Sequence, residues 1–212
     1  MTTTGRRPLL AALAATAGLL AVTPPGAAAQ TPPVISDRNP GVATRTVTPT
    51  DRRFAVKAAG GNMAEVVLGK LALERAGSDA VKQVAERLIK EHSAANAVLK
   101  PIAAQHKIAL PKKLDPMHQA MYNRLSRLSG ASFDKAYMAG QVKGHLNTIT
   151  LFQMEIRQGK NPTLQDYALQ NLPAIQDHTV MIVRVAEQVG VRPLPREARA
   201  YVGKSPAGNM KH

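Results

Sequence analysis

The sequence predicts an all-α fold in which four long helices form two antiparallel hairpins. Between about residue 50 and residue 190 there is almost no alternating strand pattern. Apolar residues recur in this region at steps of three and four, which is the spacing of a single helix face. Capping residues and glycines divide the same region into four stretches of similar length.

Local start and stop signals predict the first hairpin. Thr50 or Asp51 can cap a helix that stops at Gly77, and Ser78 can cap a second helix that runs to about His106. Because so few residues separate the two helices, they are expected to pack antiparallel.

The second hairpin is predicted in the same way. Ser132 can cap a helix that ends before Gly159, and Asn161 followed by Pro162 provides the cap and first-turn proline of a helix ending at Gly190.

The connection between the hairpins is about two dozen residues long and contains a further helix start at Asp115-Pro116. It is therefore expected to be a long crossover that carries a short extra helix.

One polar side chain interrupts the apolar stripe near the middle of each long helix. These four residues are Glu65, His92, His145 and His178. At a rise of 1.5 Å per residue, counting from the turns places Glu65 beside His92, and His145 beside His178, to within about one helical turn. An unpaired polar group in a dry core costs about 2–7 kcal/mol. The four side chains are therefore expected to be one another's partners, through a metal or through hydrogen bonds.

The N-terminal residues have the pattern of a secretory signal peptide, predicted to span residues 1–29. Arg6 and Arg7 precede an apolar run from Leu9 to Val22, and the small residues Ala27-Ala28-Ala29 follow. Cleavage after Ala29 would release an exported protein, periplasmic or extracellular. The apolar run is too short for a membrane span, so no spanning helix is expected.

Composition divides the remaining chain into three parts. Residues 30–49 are rich in Pro, Thr and Asn and are predicted to be a disordered leader, and residues 50–190 form the helical domain. Residues 191–212 are predicted to be a basic disordered tail.

Charge and cysteine content limit the possible functions. The chain has 28 Lys and Arg, 14 Asp and Glu, and no Cys, so it has no disulfide or thiolate chemistry. A strongly basic exported protein favours anionic cell-envelope polymers as partners, and export excludes nucleic acid as the natural partner.

Five segments resemble a known family of exported bacterial proteins, catalogued as domain of unknown function 4142. They are Phe54–Leu73, Lys90–Asn96, Leu128–Asp134, His145, and Leu172-Pro173 followed by His178. The resemblance implies a ferritin-like four-helix bundle and an exported location, and it implies no assigned activity.

The predicted ligand set differs from that of ferritin-like di-iron proteins. Those sites use Glu-x-x-His pairs, whereas Ile89 and Ile175 stand three residues before His92 and His178. One Glu and three His are better suited to a single Zn, Fe, Cu or Ni ion. The alternative is a metal-free hydrogen-bonded layer that fixes the register of the helices.

Three functions follow as hypotheses. The leading one is an exported helical protein that binds a metal through the His/Glu layer. The second is a metal-independent basic envelope or stress protein that binds anionic polymers. The third is a metal-dependent redox or hydrolytic enzyme, which is less favoured because the sequence lacks a nucleophile elbow and a phosphate-binding loop.

Overall fold

The structure, a computed structural model, describes residues 46–204. All regular elements in this range are helical, which confirms the predicted all-α class. The predicted signal peptide, nearly all of the predicted leader and residues 205–212 lie outside the described range. The elements are α1 (Pro49–Arg75), α2 (Asp79–Gln105), α3 (Pro116–Leu125), α4 (Gly130–Gln158), α5 (Pro162–Gln188) and a short 3-10 helix (Glu197–Tyr201).

The first hairpin, α1 and α2, begins slightly earlier than predicted. The cap of α1 is Thr48, whose hydroxyl accepts from the Asp51 N–H at 3.3 Å while the Asp51 carboxylate accepts from the Thr48 N–H at 2.7 Å. This reciprocal capping box satisfies two N–H groups that have no partner within the helix. Ser78 immediately precedes α2, as predicted, and His106 immediately follows it.

The second hairpin, α4 and α5, starts three residues before the expected position. Ser129, not the predicted Ser132, precedes the first turn of α4. Gly130 has φ 57°, a left-handed conformation that glycine adopts at little cost, and this allows the chain to enter the helix earlier. The predicted start of α5 is confirmed, because the Asn161 side chain accepts from the Leu164 N–H at 3.1 Å and Pro162 occupies the first turn.

Two buried aspartates join the hairpins at opposite ends. Asp51, at the start of α1, accepts from the N–H groups of Lys160 and Asn161 in the α4–α5 turn, at 2.8 and 3.1 Å. Asp134, near the start of α4, accepts from the N–H groups of Gly77 and Ser78 in the α1–α2 turn. The start of each hairpin therefore lies beside the turn of the other, so α1 and α4 are antiparallel.

Residues 106–129, which connect the hairpins, run from one end of the long helices to the other. At one end, His106 Nε2 lies 3.3 Å from Asn161 Nδ2, next to the α4–α5 turn. At the other end, the connection enters Gly130, which lies against Gly77 of the α1–α2 turn. The short helix α3 lies within this segment.

The apolar core forms two clusters, one toward each end of the long helices. The cluster near the α1–α2 turn includes Leu68, Leu88, Val142 and Ile182. The cluster near the α4–α5 turn includes Ala59, Leu99, Ile149 and Ile175. On every long helix, the residues between the two clusters include a buried polar side chain: Asn62, His92, His145 and His178.

The chain after α5 is ordered further than expected. Residues 191–212 were predicted to be disordered, but Glu197–Tyr201 form a 3-10 helix that contacts α4 and α5. Ala198 is fully buried in the cluster near the α1–α2 turn. Burial of this apolar residue explains why the first part of the predicted tail packs on the helices.

Candidate metal centre

Three histidines from α2, α4 and α5 meet between the two apolar clusters. His92, His145 and His178 are all buried, with exposed fractions of 6%, 2% and 2%. Their ring centroids are 5.3–5.8 Å apart. One nitrogen from each ring lies within 4.8 Å of the other two. The structure thus brings together the three histidines singled out in the sequence.

In each of the three rings, one nitrogen is bonded to an acceptor supplied by the helices. The pairs are His92 Nδ1 with Asn62 Oδ1 (2.8 Å), His145 Nδ1 with the Gln141 backbone oxygen (3.2 Å), and His178 Nε2 with Glu91 Oε2 (2.6 Å). All three acceptors are oxygens without a hydrogen to give, so the bonded nitrogen of each ring carries the proton.

The opposite nitrogen of each ring has no hydrogen-bond partner. These atoms are His92 Nε2, His145 Nε2 and His178 Nδ1. In a neutral ring with its proton on the other nitrogen, each of them is an acceptor with a free lone pair. Buried polar atoms almost always have a partner, so three open lone pairs in one place are a specific feature of this core.

Burial favours the neutral form of two of these rings. Removal from water, with a smaller contribution from His178, lowers the pKa of His92 to about 3. Burial, together with His92 and His178, holds the pKa of His145 well below its usual value. Neutral imidazole is the form that coordinates metals, so these two rings are in the ligand state at neutral pH.

Glu65 lies beside the histidines but on the outer edge of one ring. Its Oε1 is 3.9 Å from His145 Nδ1, and its Oε2 accepts from Gln141 Nε2 at 2.8 Å. It does not belong to the group of three residues whose ligand atoms lie within 4.8 Å of one another. Burial raises the pKa of Glu65 to about 7. Its role as a direct ligand stays a prediction.

Asn62 is the residue at this level that the sequence analysis missed. It is buried on α1, and besides accepting from His92 it places its Nδ2 3.3 Å from the Tyr167 hydroxyl oxygen. The signal was available, because Asn62 lies four residues after Ala58 on the apolar stripe of α1.

Glu91 is the acidic partner of His178, although it lies on another helix. The hydrogen bond from His178 and a second from Arg87, at 2.8 Å, hold its pKa at about 2 against the effect of burial. An ionised Glu91 is a strong acceptor that orients His178 and fixes its proton on Nε2.

The comparisons with known proteins establish the family. Residues 37–185 match the family described as Domain of unknown function (DUF4142). The chain belongs to this family. Neither the curated proteins nor the solved structures contain a match for it. Among residues 46–204 of this DUF4142 protein, no helix has the length and apolar character to cross a membrane.

The histidine geometry in this DUF4142 protein is near that of a metal site. Zinc binds imidazole nitrogen at about 2.0–2.1 Å, so two nitrogens of a tetrahedral site are roughly 3.4 Å apart. The three nitrogens here are within 4.8 Å of one another. Coordination therefore requires them to approach by at most about 1.4 Å, which small rotations of the rings can supply. The cluster can then offer three imidazole nitrogen ligands from rings that are each held by an outer hydrogen bond.

Proposed function

We propose that this protein is an exported, ferritin-like four-helix protein that binds one transition-metal ion through His92, His145 and His178. The observation that carries the proposal is the hydrogen bonding of the three rings. Each ring gives its proton outward to a helix acceptor, and each leaves its other nitrogen without a partner.

This arrangement favours a metal over a metal-free hydrogen-bonded layer. A layer of that kind needs donors as well as acceptors at its centre. The three open nitrogens are all acceptors when the rings are neutral, so they cannot satisfy one another. A cation is the partner that accepts all three lone pairs at once. With three neutral rings, the sequence-based alternative of a purely structural layer therefore lacks a donor at its centre.

The donor set favours a borderline divalent metal. Imidazole suits Zn, Cu, Fe and Ni, whereas Mg and Ca prefer oxygen ligands. A divalent ion in this core would also meet two acidic groups, Glu65 beside His145 and Glu91 beside His178. Their charge would balance that of the ion without requiring either carboxylate to be a ligand.

The ferritin-like topology and the export are supported by separate observations. The reciprocal contacts of Asp51 and Asp134, and the connection that runs the length of the helices, match two hairpins joined by one long crossover. The support for export is the signal-like sequence of residues 1–29 alone.

Metal analysis of the mature protein, purified without a His tag, tests the proposal. We expect one equivalent of bound metal after titration with Zn, Cu, Ni or Fe, and its loss when His92, His145 or His178 is replaced by Ala. Because a ligand that binds only the folded state stabilises it by RT ln(1 + [L]/Kd), loading should raise stability by about 2.7 kcal/mol at a hundredfold excess over Kd.

His118→Ala is the matched control. His118 lies in α3, where its Nδ1 contacts Asp115 at 2.6 Å, away from the other histidines. This variant should keep the metal and the thermal shift. If the wild-type melting curve is unchanged by metal and by chelator, or if the three buried histidines can be replaced without losing metal, the proposal fails. The basic envelope-protein hypothesis would then be the better interpretation.

A further inference from the structure

A small cavity lies against two of the three histidines, between α2 and α5. Its volume is about 30 Å³. His92 and His178 form part of its wall, and the small side chains of Ala95 and Ala174 form another part. A cavity of this size has room for two or three water-sized groups, since a single water needs about 10–15 Å³.

The protein supplies three nitrogen ligands near this cavity. Among residues 46–204, the group of close metal-ligating side chains consists of the three histidines alone. A tetrahedral ion with three protein ligands keeps a fourth position, which water or another small ligand occupies in catalytic zinc sites. The cavity touches His92 and His178 but not His145. It therefore borders two of the three proposed ligands.

We propose that this cavity receives the fourth ligand of the metal and that it admits only compact ligands of two or three heavy atoms, such as a diatomic molecule or a small linear anion. This inference rests on the proposed metal site and goes beyond it, because it names the ligand class. The size limit also favours the redox enzyme over the hydrolytic enzyme among the hypotheses, because a hydrolase of large substrates needs a wider opening than this cavity provides.

The polar groups of the cavity wall are already bonded to one another. The Tyr167 hydroxyl donates to the Ala95 carbonyl at 3.4 Å and lies 3.3 Å from Asn62 Nδ2. Asn171 Nδ2 donates to the Tyr167 carbonyl at 2.8 Å. A ligand in the cavity is therefore held chiefly by the metal and by its fit, and substrates that need many hydrogen bonds, such as peptides or phosphate esters, do not match this wall.

The cavity also lies close to the surface. Glu91, which bonds to His178, is part of its wall, and about a third of the Glu91 side chain (35%) is exposed to solvent. The side of the cavity next to this carboxylate, between α2 and α5, is therefore the proposed entrance for small ligands.

Visible absorption of the cobalt-loaded mature protein tests the inference. Cobalt(II) is a spectroscopic stand-in for zinc whose absorption reports its coordination. Two anions of the same charge are compared, azide as the compact probe and benzoate as the bulky one. We expect a saturable spectral change with azide and none with benzoate at the same concentrations.

Filling the cavity should separate ligand access from metal binding. Ala174→Leu should keep one equivalent of cobalt and weaken azide binding by about tenfold or more. Ala95→Leu adds the same side-chain volume from α2, and it replaces Ala174→Leu in this test if that variant does not fold. Ala94→Leu is the control, because Ala94 is an exposed neighbour on α2 that does not line the cavity.

The outcomes distinguish this inference from the metal proposal. If the wild type binds no cobalt, both fail. If cobalt binds through the histidines but azide leaves the spectrum unchanged, or if Ala174→Leu and Ala95→Leu bind azide like the wild type, only the inference fails. A spectral change with benzoate would overturn the size limit.

Discussion

The two hairpins hold each other by matching contacts, yet they contribute differently to the histidine cluster. Asp51 in the first hairpin and Asp134 in the second each bind two N–H groups in the turn of the other hairpin. The second hairpin supplies two histidines, His145 and His178, whereas the first supplies only His92. The framework is nearly symmetric, and the site within it is not.

The asymmetry arises at one pair of corresponding positions. Asn62 lies eleven residues after Asp51, and His145 lies eleven residues after Asp134. Both side chains are buried at the level of the cluster. The second hairpin thus has a ligand where the first has the amide that orients His92. This one difference between matching positions gives a site of three histidine ligands. The fourth coordination position of the metal is left to other groups.

Removal of the two aspartates should show which contact between the hairpins is stronger. Asp51 accepts four hydrogen bonds, including two from Thr48, whereas Asp134 accepts two. A hydrogen bond to a charged acceptor contributes about 1.5–3 kcal/mol net, and water can bond some of the N–H groups that the substitution leaves free. We expect Asp51→Ala to lower the free energy of unfolding by about 3 kcal/mol and Asp134→Ala by about 2 kcal/mol.

Urea denaturation of the metal-free protein measures both changes. Glu74→Ala, an exposed position on α1, is the control and should change stability little. An equal or larger loss of stability for Asp134→Ala would show that the number of hydrogen bonds does not decide which aspartate contributes more.

Replacing Asn62 should weaken metal binding through His92. Without the Asn62 oxygen, His92 loses the acceptor that holds its proton on Nδ1. Removal of an outer partner of this kind costs about 10–100-fold in metal affinity. We therefore expect Asn62→Leu to raise the Kd for zinc by that factor, as measured by competition with a chromophoric chelator.

Asn96→Leu is the control for that measurement. Asn96 has a long contact of 3.5 Å with Asn62 and another with the Ala59 carbonyl, whereas the hydrogen bond of His92 is to Asn62. Its replacement should leave the affinity within about twofold of the wild type. Unchanged affinity in Asn62→Leu would mean that other contacts orient His92.

A buried acid at one end of the second hairpin should make stability fall at alkaline pH. Glu155 is 1% exposed and lies beside Asp51. Burial, together with Asp51, raises its pKa from 4.5 to about 8. The neutral acid is favoured in the folded state, so its contribution is fully present below about pH 4.5 and is lost as pH rises through 8.

Thermal melting at several pH values tests this contribution. We expect the metal-free wild type to lose on the order of 5 °C in Tm between pH 5 and pH 9, where one kcal/mol corresponds to about 2–4 °C. Glu155→Gln keeps the shape without the charge and should reduce this dependence, and the remainder is expected from Glu65, whose pKa is also raised by burial. If Glu155→Gln kept the full dependence of Tm on pH, groups other than Glu155 would be its cause.

Local sequence signals were sufficient for the helices, although they did not fix every boundary. Asn161 with Pro162 specifies the start of α5, because cap and first-turn preferences act within a few residues. The start of α4 was misjudged, since both Ser129 and Ser132 are acceptable caps and the left-handed Gly130 between them favours the earlier one. Boundaries of this kind depend on single backbone angles that the sequence pattern does not show.

The sequence by itself determined that three histidines share one level, because 3.6 residues per turn and short turns fix both the face and the height of a side chain. Only the tertiary structure decided which residue of α1 faces them. Asn62 and Glu65 are one turn apart on nearly the same face, so the period accepts both, and packing turned Asn62 toward His92 and Glu65 toward the outer edge of His145. The sequence also could not show which nitrogen of each ring carries the proton. That choice depends on acceptors that come close to the rings when the helices pack.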